Sequence, residues 1–493
     1  MRIFLRPVIL ALLFLPAFLL FAAERNIVFF ITDDQSPDGG CYGSKFLKTP
    51  NLDKLAADGT LFTHAFATTA SCSASRSVVL SGLHNHANGQ YGHQHSFHKF
   101  ASYRNVLSMP VVLGEAGYDT MQIGKYHVAP EEVYRFGSYE KANPRNPVEM
   151  ANTVDAWLGT RAEDRERAQK PFFIYFATSD PHRGGGDVDK SAFAANLFGN
   201  KRDGESYPGV SETFYKTDEV DVPPFLPDTK ACREELVQYC QSVSRIDFGL
   251  GRLVEVLKER GLYEKTLIVF TADHGMAFPG GKTTVYEGGL RVPFVVRNPY
   301  EKTRGVVSSA MISHVDIAPS LIDFAGTEYK GRKKEPAVFM ENQGPVRKKL
   351  HGRSWIPILS ETEAEGWDEI GASHTFHEIQ MYYPMRVFRD RQYKLIWNIA
   401  HGQPYPFASD LWAASTWQTQ WAEGEYAPYG FRTVKSYIYR PEFELFDMVK
   451  DPDETKNLSD SPECAEVLET YKKKLKGFQQ ATDDPWVMKW RYE

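Results

Sequence analysis

Cys72 stands in the run Ser71-Cys72-Ser73-Ala74-Ser75-Arg76, directly before a segment whose apolar positions Val78, Val79 and Leu83 predict a helix. A cysteine there lies near a helix N-terminus, where free backbone N–H groups and the macrodipole favour an anion. Two readings fit: a small buried hydrophobe, or a nucleophile in a charged pocket. The rest of the chain favours the nucleophile, because reactive side chains also follow four short apolar runs, at Asp33-Asp34, Lys125-Tyr126-His127, Asp180-Pro181-His182-Arg183 and Asp273-His274. Adjacent carboxylates such as Asp33 and Asp34 repel unless a cation or guanidinium compensates them. Three carboxylates with a fourth donor suit a hard divalent cation such as calcium. Taken singly, each acid reads equally well as a helix cap, and His127 or His182 as a satisfied structural histidine.

The runs that precede these clusters, at 26–31, 120–124, 171–176 and 266–270, are apolar and separated by helical segments. That pattern predicts an α/β fold with a large, mostly parallel sheet flanked by helices. Ligands of such sheets bind outside the carboxyl ends of the strands, so the four clusters are predicted to converge. The chain has 493 residues, long enough for two domains. Its 57 basic and 63 acidic residues give no global attraction to nucleic acid or to a membrane surface. Five cysteines are too few for a disulfide framework. Cys232 and Cys240 sit on one predicted helix about 12 Å apart, too far to bridge.

Residues 1–23 read as a signal peptide: two arginines, an apolar run from Val8 to Ala23, then Glu24. The run is short for a bilayer span of about 20 residues, so export without a stable membrane anchor is expected. A catalytic domain is expected over 24–368 and a smaller C-terminal α+β domain over 369–493, with the polar stretch 330–345 and the acidic run 361–369 marking the passage between them. Strands at 385–388, 393–397 and 444–447 predict an antiparallel sheet there, closed by a helix near 463–480. Segment 184–230, rich in Gly, Asp, Lys and Pro, reads as a long ordered loop that walls a pocket or makes a surface excursion. Asn457-Leu458-Ser459 is a glycosylation sequon.

Cys72-Ser73-Ala74-Ser75-Arg76 followed by Leu80-Ser81-Gly82 resembles the signature of the sulfatase family, within the alkaline phosphatase superfamily. In that signature the cysteine is oxidised to formylglycine. Gly124-Lys125-Tyr126-His127, Asp180-Pro181-His182 and Asp273-His274-Gly275 match three further family motifs. Ala74 stands where proline is usual, and His274 where many members carry asparagine. The resemblance implies an alkaline-phosphatase-like fold, one Ca2+ held by Asp33, Asp34, Asp273, His274 and the modified Cys72, and a covalent sulfo-enzyme formed on that side chain. It also implies that Arg76 and Lys125 hold the modified side chain and Lys282 the sulfate. His182 would protonate the leaving group, and His127 would take the proton that breaks the covalent bond.

Within the family the likeness is greatest to the branch that hydrolyses the N-sulfate of terminal glucosamine N-sulfate in saccharides of the heparan sulfate or heparin type. It rests on 81–92, 124–133, 180–183, 377–386 and 484–487. An O-sulfatase, a phosphoryl hydrolase and a non-catalytic sulfated-glycan-binding protein are the alternatives. A single terminal sugar must be recognised beyond its sulfate. Asp180, Arg183, His377 and Glu378 are the candidates for that task; ion pairing for the first two, and bracing between domains for the last two, are the competing roles. A sulfated saccharide and a formylglycine-generating maturation enzyme are the implied partners, and a homodimer is compatible with the sequence.

Overall fold

The computed structural model describes residues 25–184, 198–201, 205–331, 342–345 and 347–492, so the signal-peptide reading of 1–23 and much of 185–204 lie outside the described residues. Eight strands form the large sheet: β1 (Asn26–Thr32), β2 (Thr60–Phe66), β3 (Asp119–Gly124), β4 (Ser138–Glu140), β5 (Phe172–Ala177), β6 (Thr266–Ala272), β7 (Phe294–Arg297) and β8 (Val306–Ser313). Their order is β4-β3-β5-β1-β6-β7-β2-β8, parallel except that β7 runs against both of its neighbours. The apolar runs found in the sequence are thus the central strands. Along β1, Ile27, Phe29 and Ile31 face one apolar layer while Val28 and Phe30 face the other, the period-2 split of a sheet covered on both sides.

A second sheet has the order β14-β11-β10-β9, from β9 (Glu369–His374), β10 (Met385–Asp390), β11 (Tyr393–Asn398) and β14 (Phe443–Asp447), all antiparallel. A two-residue hairpin, β12 (Pro428–Tyr429) and β13 (Arg432–Thr433), precedes its last strand. The predicted closing helix runs Ala465–Ala481 and packs on β10 and β11. One apolar cluster runs through both parts of the chain, joining Met276, Phe278 and Leu290 to Ile370, Val387 and Trp417. The two sheets therefore share buried surface.

Two helices position the chemistry. The Cys72–Ser81 helix is buried along its whole length. Its hydroxyls are satisfied locally: Ser77 and Ser81 donate back to the carbonyls of Ala74 and Ser77, and the Asn88 amide bridges both hydroxyls. It ends at Gly82, whose φ of 66° suits glycine and whose Cβ would crowd Ala318 and Leu350 at 3.1–3.2 Å. The Lys230–Glu259 helix, capped by the Thr229 side chain, carries Cys232 and Cys240 as buried free thiols. The described part of the 184–230 segment, 198–201 and 205–229, contains neither helix nor strand.

Arg386 on β10 and Asp484 form a bidentate pair at 2.5 and 2.9 Å with both side chains fully buried. Removing one partner strands the other charge out of water. Asp484→Ala is expected to destabilise the fold by about 3–5 kcal/mol, read as a lower urea midpoint at unchanged slope. A midpoint equal to the parent's would show that Arg386 does not depend on this carboxylate.

Candidate active site

Strands β1 and β6 are neighbours in register, Thr32 opposite Ala272, so Asp33 and Asp273 leave the sheet side by side. The Asp34 backbone N–H donates to Asp273 Oδ1 at 2.9 Å, and Asp33, Asp34 and Asp273 are fully buried. Arg76, on the Cys72–Ser81 helix, spans the pair, with Nε on Asp273 Oδ2 at 3.0 Å and Nη2 on Asp33 Oδ1 at 3.2 Å. Lys125 completes the compensation of Asp33 at 2.5 Å. Gly124, at the end of β3, makes that reach possible: its φ is 85°, and a Cβ there would meet the Ala177 carbonyl at 2.0 Å. Asp34, His127 and Thr283 hold φ of 59°, 56° and 67°, left-handed conformations that cost roughly 1–3 kcal/mol each in non-glycine residues and tend to cluster at functional sites.

Cys72 lies one helical turn before Arg76, with Sγ 3.3 Å from His274 Nε2 and 3.6 Å from Asp34 Oδ1. His274 Nδ1 faces the Gly275 carbonyl at 3.0 Å, so Nδ1 carries the hydrogen and Nε2 is an unprotonated acceptor that faces a second acceptor, Asp34 Oδ1, 3.1 Å away. Lys282 Nζ sits between Asp34 Oδ2 at 3.0 Å, His182 Nε2 at 3.0 Å and Asp410 Oδ2 at 2.8 Å. His182 Nδ1 meets the Arg183 carbonyl at 2.6 Å, which likewise leaves Nε2 as the acceptor turned toward Lys282. The open side is a cavity of about 430 Å³ lined by Asp33, His95, Lys125, His127, Arg145 and His182 among others.

Electrostatics corrects one expectation. Burial, reinforced by Asp33 and Asp34, pushes the Cys72 thiol well above its ordinary range despite Lys125 nearby, so the helix N-terminus does not yield a thiolate. Burial also raises the carboxyls, but Lys125 and Arg76 outweigh it and hold Asp33 well below the usual range. Asp273 is pushed up to about 6 by burial and by the charge of Asp33. Four carboxylates, Asp33, Asp34, Asp273 and Asp410, meet three cations, Arg76, Lys125 and Lys282. Asp34, Cys72, Asp273 and His274 each place a ligand atom within 4.8 Å of the others. This under-compensated, oxygen-rich set with one free imidazole nitrogen fits a divalent cation.

The structure brings together Asp33, Asp34, Cys72, Arg76, Lys125, His182, Asp273, His274 and Lys282, with His127 on the cavity wall. The sugar-binding expectation for Asp180 and Arg183 is corrected. Asp180 is fully buried between Arg145 and Arg245, both at 2.7 Å. Arg183 forms a bidentate pair with Glu235 at 2.8 and 2.9 Å, and its guanidinium lies over the rings of Phe198 and Phe278. Neither has a free polar edge for a sugar, nor do the two pair with each other. His377 is buried between His93 and Ser71, at 2.8 and 3.0 Å. Glu378 accepts from the Ser409 N–H and hydroxyl, the residue before Asp410.

Sequence reasoning missed Asp410 and Arg145. Asp410 comes from a four-residue helix, Ser409–Trp412, with no strand to announce it. Arg145 lies in the proline-flanked run Asn143-Pro144-Arg145-Asn146-Pro147, and Asp180 aims it at the cavity. The spacing His93-Gln94-His95 was the one available signal for the histidines on the same wall.

Comparison with known proteins bears on this geometry. The sulfatase family profile matches residues 25–327, and the profile described as N-sulphoglucosamine sulphohydrolase, C-terminal, matches 274–407. The human N-sulphoglucosamine sulphohydrolase is 36% identical, over 94% of this chain and 92% of its own length. An N-acetylglucosamine-6-O-sulfatase of Bacteroides thetaiotaomicron is 26% identical, over 65% of this chain and 71% of its own. A solved complex with the substrate D-glucosamine-2-N,6-O-disulfate shares the fold, with a TM-score of 0.64, 20% identity, and coverage of 93% of this chain and 98% of that one.

The two arginines of the site region separate experimentally. Arg183→Ala removes the partner of a buried carboxylate and is expected to cost about 3–5 kcal/mol of stability. Arg145→Ala leaves Asp180 paired with Arg245 and is expected to cost clearly less. Equal shifts in the urea midpoint would refute the division of roles between them.

Proposed function

This chain belongs to the sulfatase family, and from that premise we propose that it hydrolyses the N-sulfate of glucosamine N-sulfate at a nonreducing end, in saccharides of the heparan sulfate type. The observation that carries the proposal is the placement of His182 Nε2 against Lys282 Nζ, beside Asp34 and opposite Asp410. Breaking an S–N bond expels a nitrogen that cannot leave as an anion, so a proton must arrive as the bond lengthens. The Lys282 ammonium, held charged by Asp34 and Asp410, can seat a sulfuryl oxygen and orients the His182 ring, which would carry to the leaving nitrogen a proton taken up at Nε2 once the substrate occupies Lys282. Support from outside the site is the similarity to the human N-sulphoglucosamine sulphohydrolase along nearly the whole chain.

Hydrated formylglycine made from Cys72 would supply the attacking oxygen, and a hard divalent cation, proposed as Ca2+, would supply positive charge to the sulfuryl oxygens. Asp33, Asp34, Asp273 and His274 would hold that cation next to position 72. Arg76 and Lys125 keep Asp33 ionised and fix the position of side chain 72. His127, whose Nδ1 is buried without a hydrogen-bond partner, takes the proton whose loss releases sulfate. Asp410 and Arg145, one acceptor and one donor on the rim of the sulfate seat, are proposed to read the sugar hydroxyls in place of Asp180 and Arg183. Export directed by residues 1–23 and a maturation enzyme acting on Cys72 belong to the same proposal.

Sulfate release from glucosamine N-sulfate should exceed release from a 6-O-sulfated glucosamine lacking the N-sulfate. The reverse order moves the protein to the O-sulfatases, relatives of which are 26% identical. Cys72→Ala should abolish turnover without moving the unfolding midpoint, and substantial release by the folded variant would sink the proposed nucleophile. Chelation followed by dialysis should inactivate the enzyme and Ca2+ should restore it; restoration by Zn2+ alone would point to a phosphoryl hydrolase.

A further inference from the structure

We propose that His93, His95 and His127 form a second cation site, for a borderline-soft divalent ion such as Zn2+, at the mouth of the catalytic cavity. One ring nitrogen from each lies within 4.8 Å of the others. His95 Nδ1 and His127 Nε2 are 2.6 Å apart, short for an N–H···N hydrogen bond. Two imidazole nitrogens on one tetrahedral zinc, each about 2.0–2.1 Å from it, stand about 3.3 Å apart. A small outward rotation of either ring admits the ion.

Two further observations favour a ligand here. His93 is almost completely buried, its Nε2 is held by His377 Nε2 at 2.8 Å, and its Nδ1 has no hydrogen-bond partner. His377 is held in turn by Ser71 Oγ at 3.0 Å. When His377 Nδ1 donates to Ser71, His93 Nε2 donates to His377, and Nδ1 is left as a bare lone pair. Outer partners of this kind fix the tautomer of metal-ligating histidines. His127 Nδ1 is also buried without a partner, so the cluster holds polar atoms whose desolvation nothing in the protein repays. Burial keeps all three imidazoles below their ordinary range, which frees their lone pairs at neutral pH.

The all-nitrogen set differs in kind from the carboxylate-rich set around Asp34. Imidazole suits zinc, copper and nickel, whereas carboxylates suit calcium. One pocket therefore offers two sites that sort cations by ligand chemistry. An ion in the histidine site takes up the one lone pair of the neutral His127 ring and lies across the cavity, so Zn2+ lowers turnover without displacing Ca2+; this last step rests on the function proposed above, while the binding does not.

The test titrates Ca2+-loaded protein with Zn2+ by calorimetry and with Co2+ by visible absorption. One equivalent is expected to bind in the presence of excess Ca2+, and Co2+ is expected to give the bands of a four-coordinate, nitrogen-ligated ion. His95 is exposed, so His95→Ala leaves the fold undisturbed and should weaken Zn2+ binding by more than about 100-fold, while His377→Ala, acting through His93, should weaken it about 10–100-fold. The catalytically silent Cys72→Ala protein should bind Zn2+ as the parent does, which separates this inference from the fate of the proposed reaction. Unchanged Zn2+ affinity in His95→Ala, or Zn2+ that excess Ca2+ displaces, overturns it and places the ion among the carboxylates.

Discussion

Keeping three carboxylates side by side and out of water is the constraint around which this molecule is arranged. Adjacent parallel strands β1 and β6 deliver Asp33, Asp34 and Asp273 to one point, where their mutual repulsion in a low-dielectric setting is severe. The Arg76 guanidinium meets two of them at once, which is why a helix lined with serines is buried whole at the ends of the central strands. Once Arg76 is fixed, Cys72 is fixed as well: four residues earlier on the same helical face, it comes to rest above Asp34 and His274.

The second sheet is part of the same solution. Asp410 arrives from beyond β11 to balance Lys282, and Glu378 holds Ser409 beside it. Glu235, on the long helix packed behind the site, ties Arg183 to the backbone of Ser415 and Thr416. The charged cluster around Lys282 thus draws on residues from both sides of 368, and the apolar cluster through Met276 and Trp417 joins the two parts.

The strand ends were legible in the sequence because an apolar run followed at once by acids or histidines has one common explanation in an α/β sheet: the run is buried and its end is functional. Cys72 was marked by the helix that it precedes and Arg76 by the resemblance to the sulfatase signature, whereas the carboxylates followed from that logic. Asp180 and Arg183 showed its limit. They stand beside His182 in sequence, but the chain turns at Asp180-Pro181, and their side chains point back into the packing between the sheet and the Lys230–Glu259 helix. Adjacency along the chain could not tell a side chain that faces the cavity from one that fixes the loop bearing it. Asp410 and Arg145 were silent for the opposite reason, since each reaches the site, Asp410 at Lys282 and Arg145 at the cavity, from a segment without periodicity and is placed only by partners far away in the chain. The shared core was likewise hidden, because composition suggests the number of cores a chain can fill and says nothing of how they merge.

Burial of the Cys72–Ser81 helix sets an order of events. Its first residue is sealed beneath Asp34, His274 and Lys282, with no surface open to solvent. If this thiol is converted as proposed, conversion has to precede burial, because reaching Cys72 in the folded chain means unpacking Arg76 from both carboxylates. Modification and collapse would then compete for the same segment, and the share of competent protein would be set by a race between two rates and not by the stability of the finished fold.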